Sequence, residues 1–210
     1  MEFCVLPSGA KTLRNVTIPA CLIGQNGDLI TTDLTIKDGM ITSTDAGQPA
    51  ETVIEMNGAM ALLCFVDMHT HLDKGHIWPR ASNPDGSFMG ALTTVREDHA
   101  NWTAADVEAR MDFGLRCAYA YGTKAIRTHI DSADDLAVSS FGVVAKLQKK
   151  WAGKVALQAS CLVAIDRVFR DKDIFPEVAK LVWGTGNILG AVAYPVTDLQ
   201  GGGNDYSYFA

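Results

Sequence analysis

No two of the five cysteines form a C-x-x-C pair: Cys4, Cys21, Cys64, Cys117 and Cys161 are odd in number and far apart, and several sit in apolar runs. That pattern suits reduced, mostly buried thiols of a cytoplasmic protein better than a disulfide framework. Long apolar runs are missing too. The stretch "ALLCFV" falls far short of the ~18 residues a membrane span needs, and "MEFCVLPSGAKTLRN" lacks the charged and apolar regions of a signal peptide. Basic clusters are absent, and the formal net charge of −6 leaves no footprint for nucleic acid or an anionic membrane surface. There is no G-x-S-x-G elbow, no P-loop, no G-x-G-x-x-G, no internal repeat and no low-complexity tract. What remains is an ordinary globular composition, 48% hydrophobic and 20% charged. The expectation is a soluble cytoplasmic protein with one large domain, or one domain plus a small appendage.

Two textures divide the chain. Residues 11 to 56 carry short β signals, "TLRNVTIPACLI", "LITTDLTIKDG" and "MITSTDA", with Asp38-Gly39 marking a hairpin. This part, residues 1–58, predicts a small antiparallel unit. From residue 59 onward, short and nearly continuous apolar runs follow one another: "AMALLCFVDMH", "KAIRTHID", "KVALQASCLVAI" and "NILGAVAYPV". Such runs are expected of strands buried on both faces of a parallel sheet. Helical segments separate them. "TAADVEARMDFGLRCAYAYG" opens with Thr103 and Asp106 spaced as in a capping box and ends at Gly122. "SADDLAVSSFGVVAKLQKKWAG" has acids in its first turn and lysines in its last, while "DIFPEVAKLVWGTG" has Pro176 near its start and Gly184 at its end. This alternation predicts an α/β sheet or barrel over residues 59–210. A long loop, "KGHIWPRASNPDGSFMGALTTVREDHANW", interrupts it and is expected to cover a site. The tail "DLQGGGNDYSYFA" reads as irregular.

The chemistry concentrates in "LLCFVDMHTHLDK", where Asp67, His69, His71 and Asp73 occupy alternate positions. Side chains at i and i+2 of a strand leave the same face, about two rises of ~3.3 Å apart. At the carboxyl end of a barrel strand, where reactive groups collect, two such imidazoles converge on one divalent ion. Solvated histidines at a strand end are the alternative reading. On "IRTHID", Arg127, His129 and Asp131 share a face and are candidates for a substrate-side role or a hydrogen-bonded strand end. Lys74 reads as structural or substrate-facing, and His76 and His99 as solvent-facing. Trp78 and Phe88 are placed either to stack on a planar substrate or to pack against the barrel rim.

"FVDMHTHLDK" resembles the first-strand metal motif of the amidohydrolase superfamily, and its "HLDK" is similar to the cytosine deaminase-like branch. "GTKAIRTHIDSAD" resembles a second segment of that branch, and "DLTIKDGMI" the hairpin before its barrel. The resemblance implies a partial (β/α)8 TIM-type barrel, about its first four strands, preceded by a small β-sandwich segment. It implies one divalent metal ion, Zn2+ or Fe2+, with His69 and His71 as the first two ligands. The implied activity is hydrolysis of a C–N bond in a small cyclic amine or amide by water; composition gives no nucleic-acid or membrane partner, and a homo-oligomer is left open. The H-x-E and P-C-x-x-C elements of the other zinc deaminase fold are absent.

Two departures shape the expectation further. The third histidine, catalytic glutamate and later aspartate of the family have no counterpart here, so no catalytic residue is assigned within the chain. The ring-reading glutamine of cytosine deaminases falls at Ala164, while Gln158 lies earlier in its strand. The competing readings are a truncated, inactive amidohydrolase and a doubly wound α/β binding protein. This polypeptide alone is therefore expected to hold Zn2+ weakly and to turn over little.

Overall fold

The computed structural model describes residues 7–192, except 46, 48, 84, 133–135, 166, 167, 169, 170 and 172. Cys4, Pro84, the acids expected at the start of the second long helix, and the tail lie outside these residues. The backbone divides into two compact units, Met1–Cys64 and Phe65–Ala210.

In the first unit, β1 (Lys11–Pro19), β2 (Leu29–Lys37), β3 (Met40–Ser43) and β4 (Thr52–Glu55) form one sheet in the order β3-β2-β1-β4. The Asp38-Gly39 signal is borne out. Both residues have positive φ, 51° and 78°, which is what a two-residue turn between right-twisted strands requires. The sheet is mixed, however, and not the antiparallel unit expected. After β3 the chain passes to the far edge of β1, where Lys11 pairs with Thr52 and Arg14 with Glu55 in parallel. Among the described residues this is a single layer, packed on Val16, Ile18 and Leu34.

The second unit alternates strand and helix: β5 (Phe65–Thr70), α1 (Phe88–Asp98), α2 (Ala104–Ala120), β6 (Thr123–Asp131), α3 (Leu136–Lys150), β7 (Ala156–Leu162) and α4 (Ile174–Val182). The three strands are parallel, in the order β5-β6-β7. The fourth apolar run joins beside β7 through parallel bridges at Ile188 and Val192, with the Ile188 N–H donating to the Ala159 carbonyl at 2.8 Å. Its residues 193–196 lie outside those described.

Burial corrects the expectation of strands covered on both faces. On β6, Ile126, Thr128 and Ile130 are buried, while Ala125, Arg127, His129 and Asp131 alternate with them on a more open face. The closed side packs Ile130 with the helical residues Met111, Leu115, Val144 and Leu147, each at most 2% exposed. Fully burying a side chain of this kind contributes roughly 1.5–3 kcal/mol. β5 departs furthest: Phe65, Val66 and Met68 are 57%, 68% and 72% exposed. β5 is the sheet's edge strand, and it begins only at Phe65. The preceding residues belong to the first unit, where the Ala61 N–H donates to the Thr17 carbonyl at 2.9 Å. Thiol burial also differs from expectation, since Cys21 and Cys64 are exposed and only Cys161 is buried among the described cysteines.

The long loop holds a helix the sequence reading missed. Ser87 Oγ accepts the Gly90 N–H at 2.9 Å and so caps α1. The loop is fastened by Arg80, whose guanidinium donates to Asp98 at 2.7 and 2.9 Å and to Asp106 at 2.6 and 3.0 Å. Asp106 thus points to arginines, not back to its cap. Thr103 Oγ1 accepts the Asp106 N–H at 3.1 Å, so only half of the expected capping box forms. Among the described residues no helix is long and apolar enough to cross a membrane.

Candidate functional site

The chemistry-bearing residues gather where β5 ends beside β6. The parallel ladder pairs Asp67 with Ile126 and then Thr70 with Thr128, so three steps along β5 match two along β6. An irregularity of this kind bends a strand and re-aims its side chains. Across it, His69 and His71 lie with ring centroids 5.4 Å apart in an edge-on arrangement. His129 reaches in from β6 and stacks on His69 with centroids 4.1 Å apart. Asp67 serves its own strand: its Oδ1 accepts the His69 N–H at 3.2 Å.

His71 is the better defined of the pair. Its Nδ1 lies 3.3 Å from the His129 carbonyl oxygen. A carbonyl only accepts, so the proton belongs on Nδ1 and the Nε2 lone pair is left available. Burial, and then the positive charge of Lys74, hold the imidazole's pKa down to about 4, so the ring is neutral at pH 7. His129 is also shifted down, first by burial and then by His69, and its Nδ1 is buried with no hydrogen-bond partner among the described residues.

Below the imidazoles sits an acidic and basic cluster. Asp73 is only 1% exposed, and its Oδ2 accepts the Asp131 N–H at 3.0 Å. Burial, and then the neighbouring Asp131 charge, raise its pKa to about 6, with Lys74 opposing. Lys74 Nζ meets Asp131 Oδ1 at 2.6 Å. Arg127 donates to Gln158 Oε1 at 2.9 Å across the β6–β7 register, one position-pair below His129 on the same face. Trp78 and Phe88, at 62% and 56% exposure, are not packed against a rim. His76 is exposed, as expected, with its ring edge-on to Phe113 at 4.8 Å, whereas His99 is half-buried and meets the Trp102 ring at 4.9 Å.

Two residues here escaped the sequence reading. Thr128 Oγ1 accepts the Leu72 N–H at 2.9 Å. Arg110 of α2 donates to the backbone carbonyls of Asp73 and, at 3.2 Å, Gly75, while its guanidinium lies 4.7 Å over the Trp102 ring. Arg110 had a signal. It falls in the stripe Val107, Arg110, Met111, Gly114, Leu115, which is buried along α2, and a charge on an apolar helix face needs a partner.

Among the described residues no group of three or more His, Cys, Asp or Glu side chains is set to hold a metal ion. The His69–His71 pair nevertheless fits the role of partial ligand set. A neutral imidazole whose Nδ1 is held on a backbone carbonyl is the usual state of a metal-ligating histidine.

No family model matches the chain. It is 44% identical over 209 residues, 95% of its length, to a pterin deaminase of Rhizobium rhizogenes, of which it covers 48%. Its fold is similar to part of a 5-methylcytosine deaminase from Klebsiella pneumoniae, with a TM-score of 0.64 at 19% identity over 83% of this chain and 41% of that one. The N-isopropylammelide isopropylaminohydrolase of Burkholderia multivorans gives a TM-score of 0.60 at 24% identity, over 83% of this chain and 43% of that one. The chain thus spans about half the length of the relatives it matches.

Proposed function

We propose that this chain, which resembles amidohydrolase-superfamily deaminases over about half of their length, supplies the opening strands and first two metal ligands of an enzyme that hydrolyses a ring C–N bond. His69 and His71 would hold one divalent cation, Zn2+ or Fe2+. When bound, such a cation supplies hydroxide at neutral pH by acidifying water from ~15.7 toward ~7. The substrate is a planar nitrogen heterocycle carrying an amino group. The 44% identity to a pterin deaminase supports a pterin-like ring over cytosine, as does Ala164 in place of a ring-reading glutamine.

In this reading residues 1–58 are one layer of a β-sandwich segment, and residues 59–210 the first strands of a (β/α)8 barrel. The protein works in the cytoplasm, on a small molecule and water. Its own residues divide the labour. His71 stays neutral at pH 7 and presents Nε2, while the His129 carbonyl fixes its ring. The Lys74–Asp131 pair and His129 face the substrate side, with Arg127 on the same face of β6 and donating to Gln158. The observation that carries the proposal is the His69–His71 pair at the carboxyl end of β5, with the Nδ1 of His71 already committed.

A second reading draws on the exposure of β5 and on the absence, among the described residues, of a third donor. This polypeptide by itself then binds metal weakly and releases little ammonia. Both are tested on purified protein by metal analysis and by ammonia release from pterin, cytosine and 5-methylcytosine. The metal reading requires the His69→Ala/His71→Ala variant to lose most of the bound Zn2+; unchanged content overturns it. Turnover by the 210-residue chain comparable to that of a full-length deaminase overturns the second.

A further inference from the structure

We propose that Asp73 is a positioning residue for His71: its carboxylate latches the end of the histidine-bearing strand to β6 where the backbone ladder has lapsed. The inference deepens the metal-site reading and rests on His71 being a ligand.

Between Asp67 and Thr70 the β5–β6 register slips, and Thr70–Thr128 is the last pair of the ladder, so main-chain rungs do not reach His71 or the residues after it. Three contacts replace them in sequence order. The His71 Nδ1 meets the His129 carbonyl at 3.3 Å, the Leu72 N–H donates to Thr128 Oγ1 at 2.9 Å, and Asp73 Oδ2 accepts the Asp131 N–H at 3.0 Å. Arg110 then clasps the Asp73 and Gly75 carbonyls from α2. The His71 contact is the longest of the three between the strands. It depends on the other two, because a ring two bonds from the backbone keeps its aim only if that backbone is fixed.

Burying Asp73 to 1% exposure is costly for a carboxyl group, and its other oxygen, Oδ1, has no hydrogen-bond partner among the described residues. A side chain needed only to fill space there would be apolar. What the carboxyl supplies is one acceptor, at the position of Oδ2. An asparagine can supply the same acceptor, and its amide nitrogen replaces an oxygen without a hydrogen-bond partner among the described residues. Asp73→Asn is therefore expected to keep the latch, and Asp73→Ala to open it.

The experiment reads His71 directly. Histidine-selective 15N NMR on the metal-free chain reports which ring nitrogen carries the proton. The parent and Asp73→Asn should show the Nδ1–H form at His71, and Asp73→Ala a shift toward Nε2–H. Zn2+ affinity by competition with a chromophoric chelator should match the parent within threefold for Asp73→Asn. It should fall on the order of 10–100-fold for Asp73→Ala. Ser87→Ala, which uncaps α1, controls for general destabilisation and should leave the His71 tautomer unchanged. Should Asp73→Ala fail to fold, Thr128→Val removes only the Leu72 contact and should shift the tautomer in the same direction. Retention of the Nδ1–H form and parental affinity in Asp73→Ala or, in its place, Thr128→Val overturns the latch; so does the loss of both in Asp73→Asn. A parent whose Zn2+ affinity is untouched by His71→Ala overturns the metal reading instead, and the tautomer comparison still decides the latch.

Discussion

Replacing Arg80 with alanine removes the clasp that joins the loop after the histidine strand to the start of α2. Arg80 donates two bonds to Asp98, whose side chain is 1% exposed, and two to Asp106, which is 22% exposed. The Asp106 half is partly solvated and contributes at most about 1 kcal/mol. The Asp98 half dominates, because truncation leaves a buried carboxylate with only Trp102 and Asn101 as donors. The pKa of Asp98 gives its size. Arg80 first, then Trp102 and Asn101, pull it from 3.8 to about 2 against the cost of burial, which corresponds to roughly 2.5 kcal/mol for the three donors together, with Arg80 the largest contributor. The variant is therefore expected to lose about 3 kcal/mol at pH 7, or on the order of 6–12 °C in Tm for a chain of this length. The sign with pH follows from a depressed carboxylate. Its contribution is complete above pH ~4 and is lost as pH falls toward 2. Urea denaturation followed by circular dichroism at pH 7 and pH 2.5 measures both effects. A loss below about 1 kcal/mol at pH 7, or an equal loss at both pH values, refutes the reasoning.

Gly39→Val should cost about 1–2 kcal/mol in the first unit, because a β-branched residue resists the φ of 78° that the β2–β3 turn requires; unchanged thermal unfolding would contradict it. Trp151→Phe deletes the buried indole N–H donated to Asp112 at 2.9 Å. It should lower stability by about 1–2 kcal/mol in urea melts, while Asp112 keeps Arg116 and Lys150.

Local chemistry was the legible part. Asp38-Gly39 announces its turn because few residue pairs accept positive φ twice, and the alternation of apolar runs with capped helical segments announces parallel strands and helices. The spacing of His69 and His71 likewise brings their rings side by side, since parity along a strand is a local property. Helix α1 was hidden because "FMGALTTVRED" includes Gly90, Thr93, Thr94 and Val95, all modest or poor helix formers. It stands on its Ser87 cap and on Arg80, which approaches Asp98 from outside the helix. The exposure of β5 was hidden for a different reason. A run such as "LLCFV" tells how apolar a segment is, not which neighbours arrive to cover it. The mixed sheet of the first unit, and the contacts of Thr128 and Arg110, are long-range choices of the same kind.

The slipped register at the tip of β5 separates two duties that a regular ladder would fuse. Main-chain pairing holds the sheet together, and contacts between a side chain of one strand and the backbone of the other decide where His71 points. Variation at Thr128, on a strand that contributes no proposed ligand, is therefore free to retune the mouth without unzipping the sheet beneath it.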